Sequence, residues 1–193
     1  MDDKNFWRDK YRTTTGLRTV GFANKSEQEN AREYALGATR FIEYLNSDLP
    51  RPQRRTAMEL GYGRGFYTKL LKTSGFTRYI GLDIAAPHGP PLGPGFEYRM
   101  GDAGVPLDLK EQFDLVMAID VLFHITDEPR FENALSNLQR HVRPGGVIYV
   151  TGRTTDQKLA AHVVHRDLTR FKRLGKLIAV SPWRDTAFLR FRA

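Results

Sequence analysis

The sequence predicts an α/β fold: a doubly wound, mostly parallel sheet with helices on both faces, a C-terminal antiparallel hairpin and an N-terminal helical cap. Three observations predict it. Seven strand-like runs follow Thr56, and helical patterns separate several of them. A glycine-rich turn joins the first run to the helix behind it. The last two runs are separated only by Ser181-Pro182-Trp183-Arg184-Asp185, too short a connection for a parallel pair.

Length and composition set the outer bounds. The 193 residues suit a single domain of 1–193, with a cap or lid segment at 1–52 and a Rossmann-like core at 53–193. An apolar content of 40% supplies a core, and no apolar run is long enough to span a bilayer. The polar start, Met1-Asp2-Asp3-Lys4-Asn5, has no signal-peptide apolar region. The chain has no cysteine, which excludes disulfides, thiolate metal sites and a cysteine nucleophile. A cytoplasmic protein is the expectation. The net charge of +8 is uneven: from Arg166 to Ala193 eight bases face two acids. That tail reads either as an attraction for acidic substrates or nucleic acid, or as a solvated basic face.

Phe6 to Tyr11 reads as a short amphipathic helix, and Thr13 to Asn24 as a loop. Ser26-Glu27-Gln28-Glu29 fits a capping box that opens a helix running to about Asn46, with Tyr34, Ala38, Phe41 and Leu45 as its apolar stripe. Pro50 and Pro52 stop it. Strands are expected at Thr56–Leu60, Thr77–Asp83, Phe96–Met100, Phe113–Ile119, Val147–Val150, Lys176–Val180 and Thr186–Phe191. The fourth is almost wholly apolar, as a central parallel strand covered on both faces should be. Helices are expected from Phe66, over Asp127–Val142 and over Asp156–Leu174, with Arg143-Pro144-Gly145-Gly146 as a break. Ala85 to Gly95, with His88, reads as a mobile connecting loop; the alternative is a role in framing a substrate mouth.

The first strand runs into Glu59-Leu60-Gly61-Tyr62-Gly63-Arg64-Gly65. Glycines let the backbone approach a ligand and leave N–H groups free at the helix start. Their spacing differs from the dinucleotide fingerprint. With Glu59 in front, the stretch E-x-G-x-G-x-G resembles the first motif of the class I (Rossmann-like, seven-stranded) S-adenosylmethionine-dependent methyltransferases. The Arg-Pro-Gly-Gly phrase and the terminal hairpin resemble the same family, so the resemblance spans Thr56 to the C-terminus.

The resemblance implies S-adenosylmethionine as cofactor and S-adenosylhomocysteine as product. It implies that Gly61, Gly63 and Gly65 wrap the methionine end and ribose, with Glu59 orienting the loop or the amine. Asp83 ends the second strand 18 residues after Gly65, where a carboxylate takes both ribose hydroxyls; the alternative is an ion pair with Arg54, Arg55 or Lys69. Ile84 follows it. Asp102 matches the acid that accepts from the adenine amino group, with Ala103 near the ring; the alternative is a turn or helix cap. The segment before the first strand would form a lid, with Trp7, Tyr11 and Phe22 lining it together with His124 and His162, or its aromatics would pack as core.

Asp120 and His124 follow the fourth strand, at the carboxyl edge where open α/β sheets bind ligands. They are the candidates to face the cofactor's methyl and the acceptor. Methyl transfer is an in-line displacement served mainly by positioning. For an acceptor that needs a base, His124 is the first candidate, then His165, then His162. No metal site and no G-x-S-x-G nucleophile is expected. The function implied is methyl transfer to an oxygen or nitrogen of a small, biosynthetic acceptor, an acidic one where it faces the basic C-terminal region. The alternatives are an RNA or protein methyltransferase and a non-catalytic binding module; a nicotinamide-dependent dehydrogenase is disfavoured by the glycine spacing and the terminal strands.

Overall fold

The computed structural model describes residues 3–22, 24–85, 89 and 93–193; His88 lies outside them. Helix α1 (Asp3–Thr13) precedes a single 3-10 turn, Gly16–Thr19. Helix α2 (Glu27–Asp48) opens on the expected capping box: the Ser26 hydroxyl accepts from the Glu29 N–H, and Glu29 reaches back to the Ser26 N–H. Then come β1 (Thr56–Leu60), α3 (Phe66–Thr73), β2 (Arg78–Asp83), β3 (Phe96–Met100), β4 (Phe113–Ala118), α4 (Glu128–His141), β5 (Val142–Gly152), β6 (Gln157–Ala160), β7 (Val163–His165), β8 (Lys176–Trp183) and β9 (Thr186–Arg192).

Seven strands form one sheet in the order β3-β2-β1-β4-β5-β9-β8, and β6 pairs with β7 apart from it. Strands β1 to β5 are parallel, and β9 runs antiparallel to both of its neighbours. Strand period decides the two cores. Ala57, Tyr79, Leu115, Val147 and Phe188 face α2 and α3, while Met58, Ile80, Val116, Ile148 and Leu189 face α4. Phe41 and Leu45 of α2, and Leu49 just after it, are fully buried in the first of these, so α2 packs as a layer on the sheet while α1 stands over the carboxyl edge. The strand order reverses between β1 and β4, which opens a crevice beyond their carboxyl ends.

Three expectations are corrected. Asp156–Leu174 is not one helix but a β6–β7 hairpin followed by a 3-10 stretch, Leu168–Leu174. The β-branched pair Val163-Val164 favours the extended chain. Nor is there a continuous buried face: Leu159 is exposed, and of the segment's apolar residues Phe171 and Leu174 are buried. Arg143-Pro144-Gly145-Gly146 does not separate α4 from β5 but lies within β5, where the pairing with β4 slips register. The terminal hairpin turns on Arg184-Asp185 alone, because Ser181, Pro182 and Trp183 pair with Phe188, Ala187 and Thr186.

The basic tail is largely consumed inside the molecule. Arg166 and Arg170 pair with Glu128, Arg170 and Arg173 with Glu132, Arg184 with Asp120, and Arg190 with Asp48. Arg192 donates to the Gly145 and Asp48 carbonyls. Among the described residues no helix is long and apolar enough to cross a membrane.

Candidate functional site

The crevice between β1 and β4 is a pocket that opens to solvent, with about 910 Å³ of empty space counted through its open mouth. It is lined by Glu59, Gly61, Gly63, Asp83, Ile84, Asp102, Ala103 and Asp120 of the predicted cofactor set, and by Trp7, Tyr11 and His124 of the predicted acceptor set.

The glycine loop is built for a close approach. Gly61, Gly63 and Gly65 have φ of +73°, +60° and +70°, which side chains rarely adopt. A Cβ on Gly61 would also stand 2.3 Å from Cγ2 of Val121, across the crevice. Gly65 caps α3 and lies just outside the pocket lining. The carboxylate of Asp83 holds this loop: one oxygen accepts from the Gly63 N–H at 3.0 Å and the other from the Ala85 N–H at 3.0 Å. Arg54 is turned elsewhere, donating to the carbonyls of Leu45, Leu49 and Ser74.

Glu59 is 1% exposed and accepts from the Tyr79 hydroxyl at 2.6 Å, which itself accepts from Thr68. Burial pushes its acid up to about 8, the nearby Asp83 charge adds to this, and the Tyr79 bond opposes it. Asp102 accepts from the Gly104 N–H and from Arg130, both at one oxygen. The turn expected of Asp102 is therefore present, and Arg130 joins it in the pocket lining.

Asp120 sits in the left-handed region, at φ +58°. Its N–H donates to the Thr151 hydroxyl, which donates back to its carboxylate, and its other oxygen pairs with Arg184 at 2.8 Å. Burial raises its acid while Arg184 and Thr151 act against this. Arg184 thus ties the terminal hairpin to the loop that carries His124.

The Nδ1 of His124 lies 3.0 Å from the His162 carbonyl, which only accepts, so Nδ1 carries the hydrogen and Nε2 the lone pair. Burial pushes His124 down to about 3, and the ring is neutral at physiological pH. Trp7 packs edge-on against it at 4.7 Å, and Phe6 stacks on His162 at 4.2 Å. Through these contacts α1 is closed over the pocket. Arg64 fixes the other end, donating to Thr14 and Thr19 with its guanidinium over Tyr11.

Three predicted residues stand apart. His162 serves the site through its carbonyl, not its ring. His165 is buried outside the pocket, its Nδ1 accepting from the Arg153 N–H. Phe22 lies against Lys25 and bonds Asn30 through its backbone. Tyr34, Tyr62, Arg64, Tyr67 and Arg130 line the pocket unforeseen, since tyrosines at helical spacing read as core and the arginines carry no motif. Among the described residues no three His, Asp or Glu gather as metal ligands.

The geometry agrees with comparisons to known proteins. A family model described as a methyltransferase domain matches residues 58–150. Ubiquinone biosynthesis O-methyltransferase of Rhizobium leguminosarum bv. trifolii is 30% identical over 111 residues, 54% of this chain and 42% of that protein. The tRNA (carboxymethyluridine(34)-5-O)-methyltransferase of Arabidopsis thaliana is 33% identical over 109 residues, 55% of this chain and 26% of that protein. The chain therefore spans less than half the length of these curated relatives. Magnesium protoporphyrin IX methyltransferase of Synechocystis PCC 6803, solved with bound S-adenosylhomocysteine, superposes with a TM-score of 0.70 at 12% identity, over 98% of this chain and 97% of that one. At that identity the likeness concerns the fold.

Proposed function

We propose that this chain is an S-adenosylmethionine-dependent methyltransferase of the Rossmann-like, seven-stranded class and that it methylates an oxygen or nitrogen of a small-molecule acceptor. The observation that carries the reading is the Asp83-held glycine loop facing Asp120 and His124 across one crevice.

The residues present fit the cofactor. A side chain at Gly61 would collide with Val121, the positive φ at Gly61 and Gly63 disfavours any side chain, and the acids Glu59, Asp83 and Asp102 line the pocket beside them. In this reading Gly61 and Gly63 pass along the amino-acid end and ribose, Asp83 takes the ribose hydroxyls with Ile84 beside it, and Asp102 and Ala103 meet the adenine. S-adenosylmethionine supplies a methyl group on a good leaving group, the sulfonium. The chain's own work is positioning and water exclusion, worth up to about 7–11 kcal/mol of barrier for well-aligned reactants. Trp7 and Tyr11 of α1 close the mouth. The Nε2 lone pair of His124, its tautomer fixed by the His162 carbonyl, accepts a hydrogen bond from the acceptor and orients it; with its pKa held near 3 by burial, the ring is a weak base until the bound acceptor changes its surroundings. Asp120 positions the His124 loop through Thr151 and Arg184 and is not a proton carrier.

Small acceptors are favoured over RNA because most arginines of the basic tail are already paired or bonded within the protein. The tRNA-modifying relative keeps the second reading in view. Incubating the protein with labelled S-adenosylmethionine and separate sets of hydroxylated or aminated small molecules and tRNA tests it. Saturable S-adenosylhomocysteine release with a small acceptor is expected. Release with tRNA alone, in a salt-sensitive manner, replaces the reading with RNA methylation. Tight cofactor binding with no turnover on any acceptor leaves a binding module.

A further inference from the structure

The loop after β3 is held by one face of α4. Arg130, Asn133 and Asn137 follow one another at intervals of three and four residues, which places them on that face. Asn137 is buried. Its amide N–H groups donate to the Ala103 and Val105 carbonyls at 2.9 and 2.7 Å, and its oxygen accepts from the Leu107 N–H at 2.9 Å. Asn133 donates to the Gly104 carbonyl at 3.1 Å. These bonds satisfy the backbone of a loop that has no regular structure of its own.

Arg130 reaches past the backbone to a side chain. Its Nη2 donates to Oδ1 of Asp102 at 2.9 Å, and the same oxygen accepts from the Gly104 N–H at 2.8 Å. The side chains of the pair are 19% and 17% exposed, so solvent and salt screen it weakly. Gly104 keeps the path open: a Cβ there would stand 2.8 Å from both Cβ and Nε of Arg130. Arg130 and Asp102 both line the crevice.

A carboxyl group bonded from two directions at one oxygen does not swing about its own axis, so its presentation to the crevice is set. Paired with a guanidinium, a carboxylate accepts hydrogen bonds and offers none. Such a group tells two purines apart. An amino group at C6 donates to it, whereas an oxo group at C6 sets oxygen against oxygen and leaves the buried acceptor without that bond.

We propose that Arg130 is a positioning residue for base selection: acting through Asp102, it makes this crevice select a 6-aminopurine over a 6-oxopurine. The inference rests on the methyltransferase reading and on the adenine contact given there to Asp102, and it extends both to a residue of α4.

Calorimetric titration of S-adenosylhomocysteine and of S-inosylhomocysteine, which carries a 6-oxo group in place of the amine, tests it. Wild type binds S-adenosylhomocysteine at least about tenfold more tightly. Arg130→Ala weakens S-adenosylhomocysteine about tenfold and leaves S-inosylhomocysteine unchanged, because the oxo ligand has no bond to Asp102 to lose. Arg130→Lys keeps the charge and a donor, and its preference lies between those of Arg130→Ala and wild type. Gly104→Ala displaces Arg130 without removing it and lowers the preference in the same way, which serves the test where Arg130→Ala destabilises α4. The proposal is overturned if the alanine variants weaken both ligands equally, as loss of a merely structural pair does, or if the preference survives in them. Wild type that binds both ligands equally overturns it as well. Wild type that binds neither defeats the methyltransferase reading, and the proposal falls with it.

Discussion

The two halves of the pocket are built by different means. The half beside β1, β2 and β3 is assembled from residues at or just beyond the ends of consecutive strands: Glu59, Gly61, Gly63, Asp83 and Asp102. The half beside α1 draws on Trp7, Tyr34, Tyr67 and His124, which reach the site from four separate segments, with Arg184 of the terminal hairpin holding Asp120 from behind. The first half depends on backbone that only glycine permits, the second on side-chain packing. Rigid local geometry suits a ligand that all relatives share, whereas a wall of side chains from many elements is free to change with the acceptor.

The sharpest way to break the first half is Gly61→Val. A branched side chain at φ +73°, aimed into Val121, should abolish cofactor binding in a calorimetric titration while leaving the β1–β4 sheet folded by circular dichroism. His124→Gln breaks the second half: turnover should fall about 10²–10⁴-fold with cofactor affinity retained. Retained turnover removes His124 as the base.

Asp83→Ala comes next. It takes a carboxylate from two backbone N–H groups and from the proposed ribose contact, and should weaken cofactor binding about 10–100-fold, since hydrogen bonds to charged groups contribute about 1.5–3 kcal/mol each. Trp7→Ala loosens the lid over His124; KM for the acceptor should rise several-fold while the cofactor's Kd moves less.

The smallest effect is a pH slope, and it has opposite signs in the two halves. Glu59 is raised to about 8 from 4.5, so its stability contribution is full below about pH 4.5 and is lost as pH rises through 8. His124 is lowered to about 3 from 6.5, so its contribution is full above about pH 6.5 and is lost as pH falls through 3. Glu59 should therefore lower the melting temperature of wild type as pH rises from about 4.5 to 8, and Glu59→Gln should flatten that decline. An unchanged slope over this window in Glu59→Gln would remove Glu59 as its source.

The difference between the halves also explains what could be read from the chain beforehand. Strand limits at Thr56–Leu60 and Phe96–Met100 and the Ser26–Glu29 capping box were legible, because strand period, glycine and capping chemistry act over a few neighbours. The β6–β7 hairpin was not, since its segment has both helical spacing and β-branched residues and its anchor is the distant contact between His162 and His124. Arg184 illustrates the same limit: in sequence it is one more base in a basic tail, and only the hairpin turn brings it to Asp120.

The sequence by itself determined the order of elements, the glycine cradle and the acids at the ends of β1, β2 and β4, because these follow from local backbone preferences and hydrophobic period. Only the tertiary structure decided that α2 belongs to the sheet and α1 to the pocket, that His165 and Phe22 stand outside it, and that Arg184 meets Asp120. Those outcomes depend on which distant surfaces bury one another, and neither spacing nor composition encodes such contacts one residue at a time.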